Sequence, residues 1–363
     1  MNGANEPPPD LAEPRRLGMC AAEFRSHRDN AQPTKKSSSM KKILFAAAVA
    51  ASFFLPAAYA QNASGKPLIV RVAWPAGGAV DVTFRQIQPA LQDALGQTVV
   101  VENLPGLSGA LGAMNVASAA PDNAVVLGTS GPDLILAPLS IATAKYSPES
   151  FKLVAPLGTT DFILLSASKH SFKNVDELVA YVRKPGNPEL SIGNIGYGSS
   201  SHIAAADFEA RIGAKLMAVP YKGTASMVPD LVGGQIDLAF LPLAGPVVGL
   251  LKSGKVKAIG IASEQRNPDL PDVPTLNEGS SLKSFSHSVW SGLFVPTRVP
   301  DAEVARLNRA SAEALGKPEF LRFVRENSSR VLGPLDTVQA ANFFRDEIAK
   351  MRAVAKSINL QAQ

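Results

Sequence analysis

The sequence predicts an α/β protein of two lobes, and three observations predict it. Short β-branched runs alternate with longer amphipathic runs, this alternation occurs in two successive blocks, and the chain is long enough for both. The 303 residues that follow position 60 of this 363-residue chain correspond to about two domains. In the first block 68–73 reads as a strand, 81–95 as a helix, 98–102 as a strand, 110–119 as a helix and 124–128 as a strand. Strands separated by helices imply a parallel sheet covered on both faces. In the second block, helices at 176–182, 201–212, 225–232 and 247–252 alternate with strands at 190–193, 215–219, 236–240 and 256–262. A strand at 292–295 and helices at 301–315, 318–327 and 336–358 close the chain, with Asp301 and Asp336 as expected N-caps. Two α/β units in one exported chain suggest a clamp.

Export is read from residues 40–60. Met40-Lys41-Lys42 supplies a positive start, 43–55 an apolar stretch, and Ala58-Tyr59-Ala60 a small-x-small cleavage site. That stretch falls short of the roughly 20 apolar residues a membrane span needs. Residues 1–39, rich in Pro, Asn, Ser and Arg and without apolar periodicity, read as a disordered, misassigned upstream extension, with Met40 as the true start. The single cysteine, Cys20, lies there. The processed chain is therefore expected to lack a disulfide, a thiolate nucleophile and a lipid anchor, and to be free in the periplasm. Of 36 Lys/Arg and 31 Asp/Glu, eight and five precede residue 61, which leaves 28 and 26. A near-balance with interspersed signs gives no nucleic-acid footprint.

Function is sought in three strand-to-helix loops rich in Gly, Ser, Thr and Pro, because open α/β sheets bind ligands beyond the carboxyl ends of their strands. The first holds Pro75, Ala76, Gly77, Gly78 and Asp81. The second holds Thr129, Ser130 and Gly131, and the third Gly198, Ser199, Ser200, Ser201 and His202. Glycine lets backbone N–H groups approach a ligand, and a helix N-terminus offers unpaired donors with partial positive charge. Together they make an arginine-poor cradle for a carboxylate, although the same residues also dominate ordinary turns and caps. Gly196 to Ser201 is one residue short of a dinucleotide fingerprint, but no acidic residue stands about 20 positions on, so no nucleotide is expected. His170, His202 and His287 are too scattered for a metal site, and neither a G-x-S-x-G elbow nor a P-loop is present. No cofactor, metal or catalytic residue is expected. Ser199 is read as a helix cap and not as a nucleophile.

At these loops the chain resembles the Bug, or TctC-like, solute-binding proteins of tripartite tricarboxylate transporters, over nearly all of the processed chain. Pro75, Gly77, Gly78 and Asp81 look like the family's P-x-G-G-x-x-D opening. Val101 to Gly106 with Gly109 and Gly112 looks like its E-N-x-P-G-x-x-G-x-x-G signature. Ala119 to Asp122, Leu127 to Ser130, Gly196 to His202, Val219 to Gly223, Asp230 to Asp237, Leu270 to Thr275 and Trp290 to Pro296 follow in the family's order. The resemblance implies a Venus-flytrap fold of periplasmic-binding-protein type II, each lobe a mixed sheet flanked by helices. One lobe would be 61–162 plus 287–363, and the other 163–286. It also implies a monomer that binds a small carboxylate between its lobes, with Tyr221 and Lys222 as further contacts or loop braces. Pro105 and Gly106 take a structural role in this reading, and Asp237 a bracing one. The partners it implies are membrane permease subunits or, as an alternative, a signalling receptor. A periplasmic serine hydrolase is a further alternative, which turnover of an ester would reveal. Phe240-Leu241-Pro242 where the family commonly has F-D-N, Asp122-Asn123-Ala124 for D-G-Y, and Pro132-Asp133 in an often Asn- or His-bearing stretch depart from the pattern. They suggest a more apolar cleft, suited to an aromatic or aliphatic acid.

Overall fold

In a computed structural model of the protein, residues 65–120 and 124–363 are described. The leader, its cleavage site, Cys20 and the Asp122-Asn123 departure lie outside them. Among the described residues no helix is long and apolar enough to cross a membrane.

Strand β1 (Leu68–Val72) alternates fully and partly buried residues, as a pleated strand with period two requires. It runs parallel to β2 (Val99–Asn103) on one side and to β3 (Val125–Ser130) on the other. Helix α1 (Ala79–Leu95) and helix α2 (Ala110–Ser118) are the crossovers between these strands, and α3 (Gly131–Ser140) follows β3 directly. The second lobe repeats the arrangement. Strand β5 (Ser191–Asn194) lies parallel to β6 (Met217–Pro220) and to β7 (Leu238–Pro242), with α5 (Ser200–Ile212) and α6 (Thr224–Val232) between them. Helix α4 (Val175–Arg183), α7 (Gly245–Lys252) and β8 (Val256–Ile261) complete that lobe.

The expectation of parallel sheets holds only for these triplets, because one long strand joins the two sheets in antiparallel sense. Strand β4 (Phe151–Ala167) pairs antiparallel with β9 (Ser288–Pro296) through residue 161 and with β7 and β8 from residue 162 onward. The first sheet then runs β2-β1-β3-β9-β4, and the second continues β4-β7-β5-β6. Pro156 and Gly158 read as strand breakers, which hid this element. Register shifts at Leu153/Ala155 and Pro156/Gly158 let the strand accommodate both. Helix α8 (Asp301–Leu315), α9 (Pro318–Glu326), the short β10 (Arg330–Val331) and α10 (Thr337–Ser357) return to the first lobe. Asp336 caps α10 with bonds from the N–H groups of Val338 and Gln339, 2.9 and 2.8 Å. Asp301 is not a cap. It sits in the first turn of α8, after Pro300, and pairs with Lys152 at 2.6 Å.

Each lobe has its own core. Phe84, Ile87, Leu127, Phe294 and Phe344 pack in the first. In the second, the alternation of β4 sends Phe162 and Leu164 to one face of the sheet and Ile163 and Leu165 to the other. Fully burying a side chain of this size stabilises by roughly 1.5–3 kcal/mol. These cores make each lobe a stiff support for the loops at its strand ends. At residues 161–162 the pairing of β4 passes from β9 to β7. There the Phe162 N–H bonds the His287 carbonyl, and Arg330 grips Asp161 with two bonds of 3.0 and 2.9 Å.

Candidate functional site

The loop from β1 to α1 is held from behind. Gly77, at φ 78°, donates its N–H to Asp81 at 2.9 Å. The same carboxylate accepts from Asn103 Nδ2 at 2.7 Å and from Arg85 Nε at 3.0 Å, and Asn103 Nδ2 also reaches the Trp74 carbonyl. Burial would raise the Asp81 carboxyl, but Arg85, the Gly77 N–H and Asn103 outweigh it and keep the group below its ordinary range. Asp81 therefore shapes the loop without lining the cleft.

The loop from β5 to α5 is held by neutral groups. Ser199 Oγ caps the helix by accepting from the His202 N–H at 3.3 Å. Ser201 Oγ accepts from the Ile195 N–H at 3.1 Å, and His202 Nδ1 accepts from the Gly198 N–H at 3.2 Å. Burial lowers the His202 pKa, which matches a neutral ring with Nδ1 as an acceptor. Between β3 and α3, Ser130 Oγ accepts from the Asp133 N–H at 3.4 Å. Thr129 is buried, and Gly131 packs so closely on the Trp290 indole that a Cβ there would lie 2.1 Å from the ring.

These loops meet across a cleft with two adjoining chambers. The small one, about 40 Å³, is lined by Pro75, Gly78, Ala79 and Val80 from the start of α1, Ser130 and Asp133 from α3, Ser200 from α5, and Gly223 to Ala225 from α6. The first turns of four helices thus converge on one chamber and place their partial positive charge there. The large one, about 850 Å³, is walled by Trp74, Pro105 to Gly109, Ile141, Ile195 to Tyr197 and Tyr221 to Gly223. Trp74, Pro75, Ile195, Gly223 and Ala225 line both. Among the described residues, Lys222 is the one cationic side chain on the wall of either chamber.

Of the residues expected from sequence, Pro75, Gly78, Ser130, Ser200, Tyr221 and Lys222 line the cleft. Ala76, Gly77, Asp81, Thr129, Gly131, Gly198, Ser199, Ser201 and His202 do not; those with a visible task shape or pack the loops. Two expectations are corrected. Pro105 and Gly106 are not only a turn: residues 106–109 all have positive φ, and this stretch walls the large chamber. Conformations so sparsely populated by Leu107 and Ser108 persist only where surrounding contacts enforce them. Phe240-Leu241-Pro242 is wholly buried in β7 and lines neither chamber, so it does not make the cleft apolar. That character comes from Trp74, Leu107, Ile141, Ile195 and Tyr197. Trp74 and Asp133, the outer residues of the first and second candidate loops in the sequence, also line the small chamber, and Pro132-Asp133 stood out as a departure.

The lobes touch across the cleft. The Ser200 N–H donates to Asp133 Oδ1 at 2.6 Å, and Ser108 Oγ to the Tyr197 carbonyl at 3.1 Å. A Cβ on Gly198 would lie 1.7 Å from Ser140 Oγ, and one on Gly196 2.6 Å from Ser108 Oγ.

Two lobes joined by a long strand, with helix N-termini facing a shared cleft, define a solute-binding protein of the periplasmic type. The family model described as "Tripartite tricarboxylate transporter family receptor" matches residues 83–360, and the chain belongs to that family. It is 30% identical to protein BugT of Bordetella pertussis over 80% of this chain and 89% of the relative. The structure of the periplasmic binding protein BugD superposes with a TM-score of 0.75 at 28% identity, covering 82% of this chain and 99% of BugD. MatC from Rhodopseudomonas palustris, solved with bound malate, superposes at 0.73 with 30% identity, over 79% of this chain and 98% of MatC.

Proposed function

We infer that the protein is exported to the periplasm, captures a small carboxylate between its lobes and delivers it to a tripartite tricarboxylate-type transporter. The observation that carries the reading is the convergence of four helix N-termini on one chamber of the interlobe cleft. Such a cradle stabilises an anion through backbone dipoles and N–H groups without an arginine clamp. The malate bound to MatC supports the same ligand class. In this reading residues 61–162 with 287–363 form one jaw and 163–286 the other. The ligand meets Pro75, Gly78, Ser130, Ser200, Tyr221 and Lys222, while the loop-bracing residues act through them. The mechanism is closure around the ligand, with no bond made or broken.

A ligand that binds only the folded state stabilises it by RT ln(1 + [L]/Kd), about 2.7 kcal/mol at a hundredfold excess over Kd. A thermal-shift screen of dicarboxylates, amino acids and aromatic acids should therefore produce a clear rise in melting temperature for one class. A well-folded preparation that responds to none of them, and whose behaviour is unchanged by S200A, would overturn the reading.

A further inference from the structure

The segment that follows α10 turns back onto both lobes. Asn359, at φ 51°, stops the helix. Its N–H bonds the Lys356 carbonyl at 3.1 Å, and the Leu360 N–H bonds the Ala355 carbonyl at 2.9 Å. These two bonds make a Schellman stop, and asparagine is one of the few residues besides glycine that tolerates the left-handed conformation it needs. The reversal packs Leu360 against an apolar seam that includes Ala355, Leu136 of α3 in the first lobe and Ile203 of α5 in the second.

Residues 361–363 then run across the end of α3. The Gln363 N–H bonds the Ser140 carbonyl at 3.0 Å, and the Ala142 N–H bonds the Gln363 carbonyl at 2.8 Å. From the second lobe, Tyr197 donates its hydroxyl to the Gln361 carbonyl at 3.1 Å. Its ring rests on His202, with centroids 4.7 Å apart. Gln363, Ser140, Ile141 and Tyr197 all line the large chamber, and Ser140 is also the residue that Gly198 abuts. Residues 361–363 are exposed. Ordering exposed residues costs conformational entropy, so these three are held by their bonds to α3 and Tyr197 rather than by burial.

We propose that residues 361–363 are a latch for the closed form. Anchored to the first lobe at Ser140 and Ala142, they present the Gln361 carbonyl to Tyr197 only when the lobes have met. Tyr197 is then a positioning residue that acts on closure through the latch. This rests on the reading of function as closure of two lobes. A bond made only in the closed form shifts the balance between open and closed by its own free energy, and one net hydrogen bond corresponds to about fivefold.

The test needs no ligand. Cys20 is the single cysteine of the chain. In the C20S protein, N115C in α2 and P229C in α6 therefore carry spin labels at two exposed positions, one in each lobe. Pulsed electron–electron resonance then reads the distance between the lobes, and a shorter closed distance should coexist with a longer open one. Y197F should raise the open-to-closed ratio about fivefold. A chain stopped after Leu360, which keeps the Schellman bonds, should raise it at least as much; if that chain does not fold, Y197F alone decides. Adding Y197F to the stopped chain should change the ratio by less than about twofold, because the carbonyl that the hydroxyl serves is gone. A ratio unchanged by Y197F, or a Y197F effect that persists in the stopped chain, would overturn the latch and leave closure standing. A single distance in the labelled protein and in every variant would count against both.

Discussion

Two aspartates, one buried in the first lobe and one partly buried in the second, show how differently the molecule treats the same side chain. Asp237, immediately before β7, is fully matched. It receives Lys169 Nζ at 2.8 Å, His170 Nε2 at 2.7 Å, and both the N–H and hydroxyl of Ser191, at 2.8 and 2.7 Å. Burial would raise its pKa, but Lys169, Ser191 and His170 together hold the group well below the usual carboxylate range. Asp133 has no cation and is shifted the other way. The first bonds only within its lobe, whereas the second bonds across the cleft to Ser200. A brace stabilises best when every valence is satisfied, and Asp237 meets that condition where Asp133 does not.

The largest effect should come from removing the matched acid. D237A leaves Lys169, His170 and Ser191 without their acceptor, and a loss of about 3 kcal/mol in urea unfolding is expected. A loss under about 1 kcal/mol would mean that the brace contributes little beyond the fold around it.

The next cut separates lobe stability from closure. Gly198 has φ 73° and faces Ser140 across the cleft. G198A should weaken ligand binding at least tenfold, about 1.4 kcal/mol, mainly by preventing closure. Its urea midpoint without ligand should move much less than that of D237A. Equal affinity in calorimetry would show that the lobes do not need to approach this closely.

A smaller change of opposite sign is expected from D133N in the absence of ligand, which should gain about 1 kcal/mol near neutral pH. The two acids also predict opposite pH dependences. The stability that Asp237 supplies is fully present above its unfolded pKa of about 3.9 and is lost as pH falls through its depressed native value. For Asp133, whose native pKa is raised, the favourable contribution is fully present below about 3.9 and is lost as pH rises through the native value. Melting temperature against pH should therefore flatten on its acid side in D237N and above pH 4 in D133N. Identical profiles for the two variants would show that the contrast between the sites is not electrostatic.

Most of the regular structure could be read from local pattern. The helices at 301–315 and 225–232, the cap role of Ser199 and the three glycine-rich loops follow from apolar period, turn chemistry and capping preference, all of which act within a few residues. The long strand β4 was hidden because Pro156 and Gly158 break a local pattern, while the register shifts that accommodate them depend on β9, more than 130 residues away. The cleft loops were identified, but not which of their residues face the ligand space. Gly131 and Asp133 differ by two positions, yet one packs on Trp290 and the other lines the small chamber.

The sequence by itself determined the class of protein: two α/β units, with motifs in the order of one solute-binding family. Only the tertiary structure decided what lines the cleft, because lining is a relation between distant segments. Asp133 meets Ser200 from 67 positions away, and Ser108 meets Tyr197 from 89. Helix and strand periods encode which face of an element turns inward, but not which foreign backbone it will find there. The contact between Asp133 and Ser200 exists only when both lobes are in place.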